Sequence, residues 1–256
     1  MNVRELYEYL NIRIPRSLSC DWDNDGLMCC PDPDRQVRRV LIALDVTGEV
    51  ADTAVDGDYD AVVSHHPLIF DPLHSLTPDD GTGAKLINLV RAGICVMSFH
   101  TRLDALEGGV NDILAEALGL EDVRPFCDDE GSPMGRVGTL ESPVDPLELG
   151  RQVKGALGAP GVLVASCGRR CARVAVLGGE GKDFIAAARR AGADTLVSGR
   201  LGYHRMIAAE ELGINLIEAG HFYTEDPVCD RLAEMISAAD AAIETEYIKS
   251  CSLRLV

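Results

Sequence analysis

Apolar positions along this chain come in two patterns. Continuous runs, Val40–Leu44, Ala61–Val63 and Ile94–Met97, offer no polar face and predict strands buried on both sides. Segments of helical period lie between them, from Thr47 to Val55 and from about Gly83 to Ala92, the second stopped by Gly93. Strand, helix and strand at this spacing form a crossover unit, and crossover units make parallel sheets. The chain opens on a further helix, with Asn2 as N-cap, Glu5 three residues on, and Val3, Leu6, Tyr7 and Leu10 along one face. The best-defined stripe is Val110, Ile113, Leu114, Ala117 and Leu118, ended by Gly119.

Past a polar, turn-rich segment, Asp128–Pro133, the alternation resumes. A strand is predicted over 136–140, a helix after Pro146 and a strand over 161–165. The order then repeats. Arg173–Leu177 matches Arg39–Ala43 and Asp194–Ser198 matches Asp60–Ser64, both at an offset of 134 (173 − 39 and 194 − 60). Leu212–Ile217 is similar to Ala92–Met97 in the same order. Such ordered matches predict two similar lobes. After Pro227 a helix turns Val228, Leu232, Met235 and Ile236 inward, and the alternating segment Ile243–Ile248 predicts an edge strand. The fold class is therefore α/β: two similar α/β lobes, each with a largely parallel sheet and crossover helices. The first lobe is expected over 1–127 and the second over 128–225. Residues 226–256 add a C-terminal helix and edge strand, free to pack back on the first lobe.

Charge narrows the partners. Acidic residues outnumber basic ones by 17 (41 − 24) in 256 residues, and no cluster of lysine or arginine stands out. A phosphate backbone or an anionic membrane surface needs a basic footprint, so neither nucleic acid nor membrane is an expected partner. No apolar run is long enough to span a bilayer, and the N-terminus has no leader-like apolar stretch. A soluble, cytoplasmic protein is expected. Nine cysteines, an odd number in no regular framework, read as reduced thiols. The only tryptophan, Trp22, reads as the aromatic anchor of an acidic turn, Asp21–Leu27.

In open parallel sheets, ligands bind past the carboxyl ends of the strands. The strand over 61–64 runs into His65, His66 and Pro67. Pro67 keeps His66 in extended backbone, where adjacent side chains point to opposite sides, so the two imidazoles suit two neighbouring ions rather than one. The strand over 94–99 runs into His100 and Asp104, and the one over 212–217 leads to His221 and Glu225. Four residues separate each of these histidines from its acid, which puts both on one face of a helical turn. His204 follows the strand over 194–198. Imidazoles and carboxylates without thiolates, at equivalent strand ends between the two lobes, predict a site for two divalent cations. Zinc, iron, manganese, nickel and cobalt all suit such donors.

Four stretches carry a family resemblance: Ser64-His65-His66-Pro67-Leu68-Ile69-Phe70, His100-Thr101-x-Leu103-Asp104-Ala105, Gly108–Asp112 and Gly220-His221-x-x-Thr224-Glu225. They closely resemble the dinuclear-metal-centre proteins known as GTP cyclohydrolase 1 type 2 homologues. The resemblance covers nearly the whole chain, including Trp22-Asp23-Asn24-x-Gly26-Leu27, Gly135-Arg136-x-Gly138 and Tyr203-His204. It implies His65, His66, Asp104, His221 and Glu225 as metal ligands, Glu225 as the bridge, and His100 as a further ligand or a proton carrier. It also implies assembly into a toroidal homohexamer. One loop departs: Ser198-Gly199-Arg200-Leu201-Gly202-Tyr203-His204 has Arg200 and Gly202 where the family usually has an acid and a lysine.

Two close divalent cations lower the pKa of a water between them and polarise the bond it attacks, which favours hydrolysis. The leading expectation is a metal-dependent hydrolase of a small, nucleotide-like substrate, with His100 or His204 moving protons. The resemblance implies opening of the guanine ring of GTP with loss of formate. Gly178-Gly179-Glu180-Gly181 lacks the lysine-serine ending of a phosphate loop and reads as a tight turn between strand and helix. The other expectation is a non-catalytic metal-binding, metal-delivery or scaffold protein.

Overall fold

The computed structural model of the chain describes residues 1–126 and 133–256, so the break expected after Cys127 lies outside the described residues. In chain order the strands are β1 (Gly26–Cys29), β2 (Arg39–Ala43), β3 (Ala61–Ser64), β4 (Cys95–Ser98), β5 (Glu121–Phe126) and β6 (Gly135–Val144). They continue with β7 (Leu163–Ala165), β8 (Cys171–Glu180), β9 (Thr195–Arg200), β10 (Asn215–Glu218) and β11 (Glu244–Tyr247). Two compact units divide the chain: Met1–Leu103 with Val228–Ser252, and Asp104–Pro227 with Leu253–Val256.

The first unit is built on a sheet of order β1-β4-β3-β2-β11. Its strands β4, β3, β2 and β11 are parallel, and β1 joins antiparallel at the edge. The helix Gly48–Asp56 connects β2 to β3 and the helix Gly81–Ala92 connects β3 to β4. Leu41, Val62 and Val96 of the sheet pack on Val50, Ala54 and Leu89 of these crossovers. The helices Val3–Arg13 and Val228–Ala239 pack on one another, and the second also contacts β2 and β11. Asn2 and Glu5 form the expected reciprocal cap, and Gly93 closes the helix Gly81–Ala92 at φ 72°, a conformation that costs glycine nothing.

The second unit has a sheet of order β5-β6-β8-β9-β10-β7. Only β8, β9 and β10 are parallel; β6 and β7 flank them antiparallel, and β5 pairs antiparallel with β6. Apolar side chains cover both faces. Ala175, Leu196 and Leu216 pack with Ile185 and Ala188 on one, while Val174, Val176, Val197 and Ile217 pack with Leu114 and Leu149 on the other. Both sheets are thus mixed, with β1 in the first and β6 and β7 in the second running against their parallel strands.

The internal repeat holds in atomic detail. Val40 pairs with Ala61 and Val174 with Thr195, each related by the same offset of 134 (174 − 40 and 195 − 61). In both copies an aspartate at the foot of the second strand accepts from two N–H groups at the foot of the first. Asp60 takes Arg38 and Arg39 at 2.7 and 3.1 Å; Asp194 takes Ala172 and Arg173 at 3.0 and 2.9 Å. No helix among the described residues is long and apolar enough to cross a membrane.

Candidate metal centre

In the first unit, β3 and β4 end level with one another. Ser64 lies opposite Ser98 in register, their hydroxyls are 2.8 Å apart, and the Phe99 N–H donates to the Ser64 carbonyl at 2.9 Å. The residues that follow leave both strands at the same end. His65, His66 and His100 converge there, with one ring nitrogen of each within 4.8 Å of the others and ring centroids 4.9, 5.3 and 5.6 Å apart. The extended geometry expected for His65 and His66 does not continue past Ser64. A bend starts at His65, with the Ser64 hydroxyl donating to the His66 carbonyl at 2.8 Å, so the two rings converge instead of diverging.

Each of the three imidazoles is oriented through Nδ1. His65 Nδ1 meets the Phe99 carbonyl at 2.9 Å, His66 Nδ1 meets Asp45 Oδ1 at 2.7 Å, and His100 Nδ1 meets Asp23 Oδ1 at 2.8 Å. A carbonyl oxygen only accepts, so His65 carries its proton on Nδ1 and presents the Nε2 lone pair. Carboxylate partners do the same for metal-binding histidines and raise their basicity. Asp45 is itself held by Ser250, which donates to its Oδ2 at 3.0 Å. Burial works against ionisation of Asp23, but His100, through a hydrogen bond and its charge, and the Thr101 hydroxyl and N–H outweigh it and bring the carboxyl down to about 2.

The second unit holds the acidic donors. His221 and Glu225 lie one turn apart on the helix His221–Glu225, with Nε2 and Oε2 3.0 Å from each other. An oxygen of the buried Asp104 comes within 4.8 Å of one of Glu225. Asn111 braces this group: its amide donates to the Asp104 carbonyl at 3.2 Å and its oxygen accepts from Gly178 N–H at 2.8 Å. Gly178 and Gly179 are not the expected tight turn. They belong to β8, and a Cβ on Gly179 would fall onto Glu225 Oε1 and within 3.2 Å of His221 Nε2. The missing side chain leaves room for the carboxylate and imidazole to face a ligand. Thr224 Oγ1 accepts from Gly179 N–H at 3.1 Å and secures the fit.

This donor set, imidazoles each held at Nδ1 plus buried carboxylates beside a glycine cradle, has the chemistry that divalent transition metals take. The structure brings together His65, His66 and His100 in one unit and Asp104, His221 and Glu225 in the other. His204 joins no donor cluster among the described residues; it is exposed on the helix Tyr203–Ile207, against the Tyr203 ring. Arg200 is exposed at the end of β9, and Glu218 steadies the loop after it by accepting from Leu201 and Gly202 N–H at 2.6 and 2.8 Å. Asp23 and Asp45 were not expected at the site. Asp45 had a usable signal, since it ends the apolar run of β2 as His65 ends that of β3.

Residues 1–252 match the family model described as DUF34/NIF3 (NGG1p interacting factor 3). A Clostridium perfringens relative named "GTP cyclohydrolase 1 type 2 homolog" is 31% identical over 242 residues, covering 92% of this chain and 91% of that protein. A Methanocaldococcus jannaschii relative of the same name is 32% identical over 244 residues, covering 93% and 96%. Among solved structures, a Staphylococcus aureus hypothetical protein superposes with a TM-score of 0.89 at 25% identity, over 100% of this chain and 99% of that one. Reduced HcgD from Methanocaldococcus jannaschii gives 0.83 at 28% identity, over 96% and 97%.

Proposed function

The chain belongs to the DUF34/NIF3 family, and from that premise we propose that it is a dinuclear metal-binding hydrolase of a small, nucleotide-like substrate. The observation that carries this reading is the set of three converging imidazoles, each turned by a partner on Nδ1. His65, His66, Asp104, His221 and Glu225 would hold two divalent cations, zinc, iron, manganese, nickel or cobalt, with Glu225 the ligand common to both. Bound cations of this kind supply Lewis-acid polarisation and activation of water.

The chain's own contribution is proton handling and orientation. His100 exchanges a proton at Nε2, while Asp23 holds its Nδ1–H and stabilises the imidazolium, as a carboxylate does for a catalytic histidine. The relatives' name, GTP cyclohydrolase 1 type 2 homolog, directs the substrate search to guanine nucleotides. The proposal includes a homohexamer in solution, which sedimentation would reveal. Elemental analysis of purified protein is expected to find two ions per chain, and a nucleotide panel is expected to show turnover that His65→Ala abolishes. Turnover unchanged in His65→Ala would overturn catalysis at this site.

A second reading, metal delivery without turnover, is favoured by the 46% exposure of the His221 side chain, since an exposed ligand exchanges readily. Metal-competition titration separates the two, because delivery requires weak, exchangeable metal.

A further inference from the structure

We propose that Trp22 and Phe70 form a recognition corner for a planar heteroaromatic ring, and that such a ring defines the substrate class. The inference deepens the metal-site proposal and rests on it for the metal; the ring contact itself stands on the first unit alone. Trp22 is 61% exposed and Phe70 48%. Single exposed apolar side chains are ordinary, but these two rings adjoin one another and are not loose. Asn24 donates to the Ile69 carbonyl at 2.6 Å, clasping the turn that carries Trp22 to the segment that carries Phe70. Asp23, between Trp22 and Asn24, accepts from His100 Nδ1 at 2.8 Å and from Thr101 N–H and Oγ1 at 3.0 and 2.6 Å. Cys20 N–H donates to the same Thr101 hydroxyl at 2.9 Å. The backbone thus pre-organises two exposed rings.

Their geometry suits a flat guest. Trp22 and Phe70 lie 6.3 Å apart at 67°, and each meets the His100 ring edge-on, at 6.2 Å and 77° and at 6.0 Å and 86°. A ring lying flat on one of the pair meets the other nearly edge-on, so it gains both favoured aromatic geometries at once. His100 is 5.3 and 5.6 Å from His65 and His66, so a ring in the corner sits one imidazole away from the metal donors. A polar substituent on it can reach them. Stacking of this kind selects flat faces and tolerates variation in ring substituents.

Trp22 is the only tryptophan, so its emission reports this corner alone. The full chain, stripped of metal and separately reloaded with zinc, is titrated with guanosine, guanosine monophosphate and ribose 5-phosphate. Saturable quenching is expected with the first two and none with the third. By calorimetry, Trp22→Ala should weaken guanosine binding about tenfold, the scale of one lost stacking contact, and Trp22→Phe should restore most of it. Phe70→Ala, which keeps the fluorophore, should weaken the quenching in the same sense, and all three variants should keep the wild-type zinc content. Ribose 5-phosphate binding as well as the nucleotide, or Trp22→Ala binding guanosine like the wild type, would overturn the proposal. So would a change in sedimentation of Trp22→Ala without a change in guanosine affinity, which would assign the corner to contact between copies. Zinc bound with no ring response removes this inference alone; a ring response with no zinc bound supports it and removes the metal proposal.

Discussion

The atoms that orient the imidazoles matter as much as the imidazoles. Asp45 fixes His66 through Nδ1, and removing its charge leaves the ring free to turn. Asp45→Asn is therefore expected to lower metal affinity by about 10-fold or more, measured by competition with a chromophoric chelator, with unfolding little changed. Gly179→Ala is expected to be worse. Its φ of +63° disfavours any other residue, and the added methyl would displace Glu225. Loss of bound metal by elemental analysis, with a lower thermal midpoint, is the expected result. The candidate donors themselves were legible in the sequence because histidines and acids interrupt apolar runs where strands end. Asp23 was not legible in that way, because it lies 77 residues from the His100 it holds and only the fold makes them neighbours.

At the scale of elements, the two aspartate clasps tie each crossover closed. Asp60 binds Arg38 and Arg39 N–H through one oxygen and Arg35 through the other, so an amide can satisfy at most one side. Asp60→Asn should destabilise the fold by about 1–3 kcal/mol in urea melts at neutral pH. The effect has a pH signature. Burial opposes ionisation of Asp60, yet the Arg38 and Arg39 N–H groups and the Arg35 guanidinium hold its carboxyl below the usual value. Its contribution is therefore complete above the unfolded carboxylate range and is lost as pH falls through the depressed folded value. The gap between wild type and Asp60→Asn should close in acid. The central strands β2, β3, β4, β8, β9 and β10 were readable as apolar runs, because strands covered on both faces must be apolar throughout. Strands β1 and β5 were not readable, since β1 offers four residues and β5 is exposed at every position but Phe126.

For the whole molecule, two consequences can be measured. A ligand that binds only the folded chain stabilises it, by about 2.7 kcal/mol at a hundredfold excess over its dissociation constant. Chelation should then lower the thermal midpoint by several degrees, and zinc or manganese should restore it. The excess of 17 acidic charges should keep duplex DNA unbound in low-salt filter assays. By itself the sequence determined the α/β class, the repeat at an offset of 134, the caps and the candidate donor residues at strand ends. Those features depend on periodicity and turn chemistry within a few residues, which local sterics enforce. Only the tertiary structure decided that Val228–Ser252 belongs with Met1–Leu103, that Asp23 and Asp45 steer the histidines, and that β8 offers a glycine to Glu225. These are contacts between residues far apart in the chain, made by packing and hydrogen bonding that leave no local pattern.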